Sequence, residues 1–111
     1  MPLKRRESCE AALTESRRAR RRGDYPTAWT QLERAHVLGQ PFLGPHLRTH
    51  WEMLRLAIVT FCPQEAAGQV LRFVLVFPGT WLGRLPAGNT GRASVSAFMP
   101  MPISEELRSL L

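Results

Sequence analysis

Apolar residues recur three and four positions apart through most of the chain, a spacing that predicts helices rather than strands. Residues 5–22 contain no Pro or Gly and are rich in Arg, Glu and Ala, all good helix formers. Cys9, Ala12, Leu13, Ser16 and Ala19 form a thin stripe of mostly small residues along this first helix. Gly23 ends it, and Arg20, Arg21 and Arg22 fall in its last turn, where positive charge suits the helix dipole. Asp24 is an N-cap for a second helix over 24–38, with Pro26 in its first turn. Ala28, Trp29, Leu32, Ala35 and His36 share one face of it. Gly39, Pro41, Gly44 and Pro45 mark a short loop.

A third helix is predicted over 45–61, with Leu47, Trp51, Leu54, Ala57, Ile58 and Phe61 as its apolar side and His50 inside that stripe. A fourth runs over 63–77, until Pro78-Gly79 breaks or kinks it. From Pro86 onward, turn residues and spaced prolines read as an extended tail folded back over the helices. Within it, Ser104 followed by Glu105 and Glu106 caps a short terminal helix. Trp29, Trp51 and Trp81 are read as core anchors.

The elements add up to an all-α chain, one domain over 1–111 with about four antiparallel helices. Two arrangements suit them: an up-down bundle, or a repeat-like stack of two hairpins. The stretch Gly23-Asp24-Tyr25, with Ala28, Leu32 and Ala35 following, resembles the turn and second helix of a tetratricopeptide repeat. Ala66, Val70 and Phe73 reproduce its spacing later, without the Gly-Asp-Tyr turn.

Composition sharpens this picture in two places. The 111 residues are 44% hydrophobic, enough for one modest core. The net charge of +6 is concentrated, because residues 1–22 carry eight basic side chains against three acidic ones. The run Arg17, Arg18, Arg20, Arg21 and Arg22 is a candidate phosphate contact for nucleic acid or an acidic protein partner. It lacks interleaved aromatic residues for base stacking, and the plainer reading is a solvated helix end. Cys9 and Cys62 show no metal or redox spacing, and the N-terminus lacks a signal peptide's apolar segment. Both observations point to a cytoplasmic protein with reduced thiols. The apolar stretch Val70–Leu85 contains Arg72, Pro78 and Arg84 and falls short of the roughly 20 residues of a spanning helix. It reads as a buried helix and a turn, with peripheral membrane contact through 73–81 as the alternative.

The candidate chemistry lies in the histidines. His46 and His50 stand four apart on the third helix, the spacing at which two imidazoles share a metal ion. His36 lies about one turn from the end of the second helix. If these two helices pack antiparallel across their short loop, the three rings meet. Three neutral imidazoles suit Zn²⁺ or Cu²⁺ and leave one coordination position open. Leu47 stands where a metalloprotease has its Glu base, so a catalytic zincin is excluded. Glu33 and Glu52 are candidates for a fourth ligand or for a supporting bond, although Glu52 is expected to point away from His50. The competing reading makes His50 a hydrogen-bonded core residue and His36 a cap on its own helix. Met53, Met99 and Met101 with Cys62 could offer soft ligands to Cu(I), but they suit adaptable packing better. GNTG at 88–91 lacks the Lys-Ser/Thr of a phosphate loop and reads as a tight turn, with the Asn89 side chain bonding backbone groups.

Five stretches, ERAHVLGQ (33–40), PHLRTHWEMLRLA (45–57), GQVLR (68–72), PAGNTG (86–91) and VSAFMPMPIS (95–104), together resemble an uncharacterised bacterial family known as a domain of unknown function. The resemblance implies no activity, but His36, His46, His50, Asn89 and Thr90 fall inside its recurring stretches. Thr60-Phe61-Cys62-Pro63 is less polar than the family's usual turn, and Arg92 stands where a smaller residue is typical. The residues thus lead to a small binding or accessory protein rather than an enzyme, with a transition-metal site at His36, His46 and His50. The alternatives are a tetratricopeptide-like interaction module using the basic first helix, and an enzyme with an unrecognised histidine base.

Overall fold

The computed structural model describes residues 1–82, 88–93 and 99–111, with the backbone alone for 76–82. The helices are α1 (Leu3–Arg21), α2 (Tyr25–Gly39), α3 (Leu43–Val59), α4 (Pro63–Leu82) and the short α5 (Glu105–Arg108). No strand occurs among the described residues. The fold is all-α, as the periodicity predicts.

The α1 stripe of Cys9, Ala12, Leu13, Ser16 and Ala19 is buried. Its small side chains let α2 approach until backbone groups are in reach. Ser16 Oγ donates to the Ala28 carbonyl at 2.9 Å, and the Cys9 thiol to that of Ala35 at 3.7 Å. Arg5 Nε reaches the Leu38 carbonyl at 2.6 Å. Numbers fall along α1 as they rise along α2, so the pair is antiparallel. The turn between them needs Gly23 at φ 78°, and Asp24 Oδ1 caps α2 by accepting from Thr27 N at 3.3 Å.

Leu13, Leu32, Leu38, Met53 and Leu56 fill the core between α1, α2 and α3. Each such side chain contributes roughly 1.5–3 kcal/mol by leaving water. α3 runs parallel to α1, tied by ion pairs between Arg48 and Glu10 and between Arg20 and Glu52 (3.2 Å). Among the described residues α4 packs on α3 and on no other helix, so the four main helices form an open stack of two hairpins. α5 closes over α2 through Arg34–Glu106 at 2.8 Å, with Ser104 as its N-cap.

Three expectations change. The buried face of α3 is His46, Thr49, His50, Glu52, Met53, Leu56 and Ala57. Turning the histidines inward rotates Trp51 and Ile58 outward, and Trp51 is 53% exposed rather than a core anchor. Trp29 packs against the core, whereas the Trp81 side chain lies outside the described residues. α4 is not a conventionally buried apolar helix: Glu65, Gln69 and Arg72 face inward, and Val70, Leu71 and Val74 face out. Finally, α4 continues through Pro78 to Leu82. A proline there removes one N–H donor and bends a helix without necessarily ending it. No helix of the described residues is long and apolar enough to cross a membrane.

Candidate metal centre

His36 sits one turn before the end of α2, and His46 and His50 occupy the first two turns of α3. The loop between the helices is only 40–42, so the histidine-bearing ends must meet. Gly39 makes the close turn possible, because a Cβ there would stand 2.9 Å from Pro45 Cβ. The three Nε2 atoms form an equilateral triangle, with His36–His46, His36–His50 and His46–His50 each 3.1 Å apart. All three rings are buried.

The outer nitrogens fix the tautomers of His36 and His50. His36 Nδ1 lies 2.6 Å from the Asn89 backbone oxygen, which can only accept, so this Nδ1 carries the proton. His50 Nδ1 lies 2.6 Å from Gln69 Oε1. That amide cannot be turned around, because Gln69 Nε2 donates to Glu65 Oε1 and to the Gly91 carbonyl, both at 2.9 Å. His50 therefore also carries its proton on Nδ1. His46 Nδ1 is buried without a hydrogen-bond partner. The Gln40 carbonyl is near enough to favour a proton on that ring but makes no well-formed bond to it.

Burial, first of all, keeps these rings neutral. It pushes His46 down to about 3 and His50 to about 4, and holds His36 well below the ordinary imidazole value. The neighbouring imidazoles lower His36 and His46 further, and the Arg72 guanidinium lowers His36 and His50. With neutral rings and both protons outward, His36 Nε2 and His50 Nε2 present bare lone pairs to each other at 3.1 Å. No proton of these two rings can sit between them, so the contact is repulsive unless an electron-poor centre, either a metal ion or an Nε2–H of His46 at 3.1 Å from both, draws the two nitrogens in. A transition-metal ion would be held by the three Nε2 atoms, and three neutral imidazoles would leave it a position open for a further ligand.

The remainder of the site comes from α4 and the tail. Asn89 is held by its own side chain, which accepts from Gly91 N and donates to the Met99 carbonyl, each at 2.8 Å. Gly91, at φ 83°, lies flat against His36, and a Cβ there would stand 2.5 Å from the ring's Cδ2. Glu65 Oε1 accepts from Arg92 Nε at 3.1 Å and Ala93 N at 3.0 Å as well as from Gln69. Arg92 also reaches Glu33 at 3.3 Å and lies over the Trp29 ring. The larger residue at 92 thus clamps the GNTG turn to α2 and α4.

Of the other sequence candidates, none joins the triad. Glu33 is held by Arg92, and Glu52 by Arg17, Arg20 and Arg55. Met53 lies in the core, while Cys62 and Met99 are on the surface. Among the described residues the histidines are the one cluster of three or more His, Cys, Asp or Glu side chains with metal-ligating spacing. The sequence reading missed Gln69 and Glu65. Their signal was a polar stripe, Glu65, Gln69 and Arg72, at helical spacing inside an apolar segment.

A family model described as a protein of unknown function (DUF3703) matches residues 3–111, in accord with the resemblance carried by the five stretches. No curated protein and no solved structure matches the chain.

Proposed function

Because the chain belongs to this family of proteins of unknown function, we propose its role from the site itself: a transition-metal-binding accessory protein that holds Zn²⁺ or Cu²⁺ through Nε2 of His36, His46 and His50. The observation that carries this is the pair of unprotonated nitrogens, His36 Nε2 and His50 Nε2, facing each other at 3.1 Å. Packing without a metal needs a donor for these two nitrogens, which among the three rings only an Nε2–H of His46 can supply. The donors of His36 and His50 point away, to Asn89 O and Gln69 Oε1, as in metal sites where the outer N–H is anchored so that the inner nitrogen is fixed and basic.

The donor set is three neutral nitrogens with no thiolate, which suits borderline ions rather than Ca²⁺ or Mg²⁺. Among the described residues no carboxylate bonds to the imidazoles as a general base, and this favours binding and transfer of the ion over hydrolysis. The test is the metal content of protein purified without a histidine tag, beside the His46→Ala/His50→Ala double variant. Stoichiometric metal that disappears in the variant supports the reading. Metal in neither, with no melting shift on adding Zn²⁺ or Cu²⁺, rejects it.

A further inference from the structure

At the end of the bundle where α3 turns into α4, the chain displays apolar side chains that the fold does not use. The turn is a Schellman-type ending: Phe61 N donates to Ile58 O at 3.1 Å and Cys62 N to Ala57 O at 2.9 Å. This motif places one residue in the left-handed region, where glycine is the favoured choice. Here that residue is Phe61, at φ 55° and 91% exposed. Its ring contributes nothing to the core, and its backbone sits where a side chain is costly. Ile58, at 60% exposed, and Val59 flank it. On α4, Val70, Leu71 and Val74 are also exposed, because Glu65 and Gln69 have taken the inward positions, but they lie level with the histidines and away from this tip.

The charge beside this tip is predominantly positive. α1 and α3 are parallel, so the C-terminal end of α1, with Arg17, Arg18, Arg20, Arg21 and Arg22, lies at the same end as the tip. Arg17, Arg20 and Arg55 share the single carboxylate of Glu52 at 3.8, 3.2 and 3.6 Å. Glu15 and Asp24 engage Arg18 and Arg22. Five guanidinium groups thus meet three carboxylates, and Arg21 adds a sixth positive charge. From Leu43 to Leu75 the acidic residues are Glu52 and Glu65, both buried, so the apolar face offers no exposed acid.

We infer that this end is a docking surface for an anionic membrane, with Phe61 and Ile58 entering the boundary of the acyl chains and the arginines meeting lipid phosphates. An apolar wedge beside a cluster of arginines is the combination that binds such an interface, and each cation near the surface adds to it. A second copy fits less well, because self-apposition would set the arginines against one another. A nucleic acid would use the arginines and leave the tip in water. The surface lies at the far end of the bundle from the histidines, and the inference does not depend on the metal reading.

The test is flotation of the full chain with vesicles of phosphatidylcholine alone and of phosphatidylcholine with one third phosphatidylglycerol. Salt-sensitive binding to the anionic vesicles is expected, about tenfold weaker for Phe61→Gly and at least as much weaker for Arg18→Glu/Arg21→Glu. Phe61→Gly suits the left-handed turn and should melt no lower than the wild type, so its loss of binding cannot be ascribed to unfolding. Absence of binding to the anionic vesicles, or equal binding by wild type and Phe61→Gly, overturns the inference. So does a dimer without vesicle binding that Phe61→Gly dissociates, which would assign the face to a second copy.

Discussion

Replacing Gln69 by Leu would test whether the bonds around the histidines exist to aim them. Gln69 is fully buried, and Leu fills a similar volume without polar atoms. The change deletes three bonds: acceptance from His50 Nδ1 and donation to Glu65 and to the Gly91 carbonyl. Glu65 keeps Arg92 and the Ala93 amide, so its loss is small. His50 Nδ1–H and the Gly91 carbonyl lose this partner, at about 1–3 kcal/mol each, and the metal-free protein should lose roughly 2–6 kcal/mol in urea denaturation. The ring can escape this cost by moving its proton to Nε2, which blocks the nitrogen the metal needs. Zn²⁺ affinity, measured by competition with a chromophoric chelator, should therefore fall about 10–100-fold. A variant that loses stability but binds Zn²⁺ within about twofold of wild type would refute the reasoning. Gln69 would then be a packing residue with no hold on the imidazole.

Gly91→Ala places a Cβ 2.5 Å from His36 Cδ2 on a residue at φ 83°. It should cost about 1–2 kcal/mol for the backbone alone and weaken Zn²⁺ binding by displacing the ring, and unchanged affinity in the same competition assay would contradict this. The metal-free protein should be labile to acid. His46 at about 3, His50 at about 4 and His36, held well down by burial, all lie below the ordinary imidazole value of 6.5. Protons therefore bind the unfolded chain first, so stability is full above about pH 6.5 and falls below it. The slope reaches about 4 kcal/mol per pH unit if all three rings stay neutral down to about pH 4; denaturation midpoints flat from pH 7 to 5 would show that the rings already carry charge. Asp24→Ala removes the cap on α2 and should cost about 1 kcal/mol by thermal melting, without altering metal affinity.

The sequence was most legible where packing follows one rule. The α1 stripe, the Gly23-Asp24 turn and the Ser104 cap stand where small residues, a left-handed glycine and short polar side chains require them. The convergence of His36, His46 and His50 was legible too, because a short loop between antiparallel helices leaves their facing ends nowhere else to go. The phase of α3 was not. An apolar stripe through Trp51 and Ile58 implies one rotation, and inward histidines demand another. The structure takes the second, which sends apolar residues to the surface and brings Glu52 beneath the arginines of α1. Gln69 was hidden for the same reason: a glutamine in a helix reads as a surface residue until its three partners, from α3, α4 and the tail, are seen around it.

The most direct test of the metal assignment is the X-ray absorption spectrum of the zinc-loaded protein at the zinc edge. The account predicts three imidazole nitrogens at about 2.0–2.1 Å with one further light ligand, and loss of the imidazole signature in the His46→Ala/His50→Ala variant. A coordination sphere of oxygens, or one that includes sulfur from Cys9 or Cys62, would contradict it.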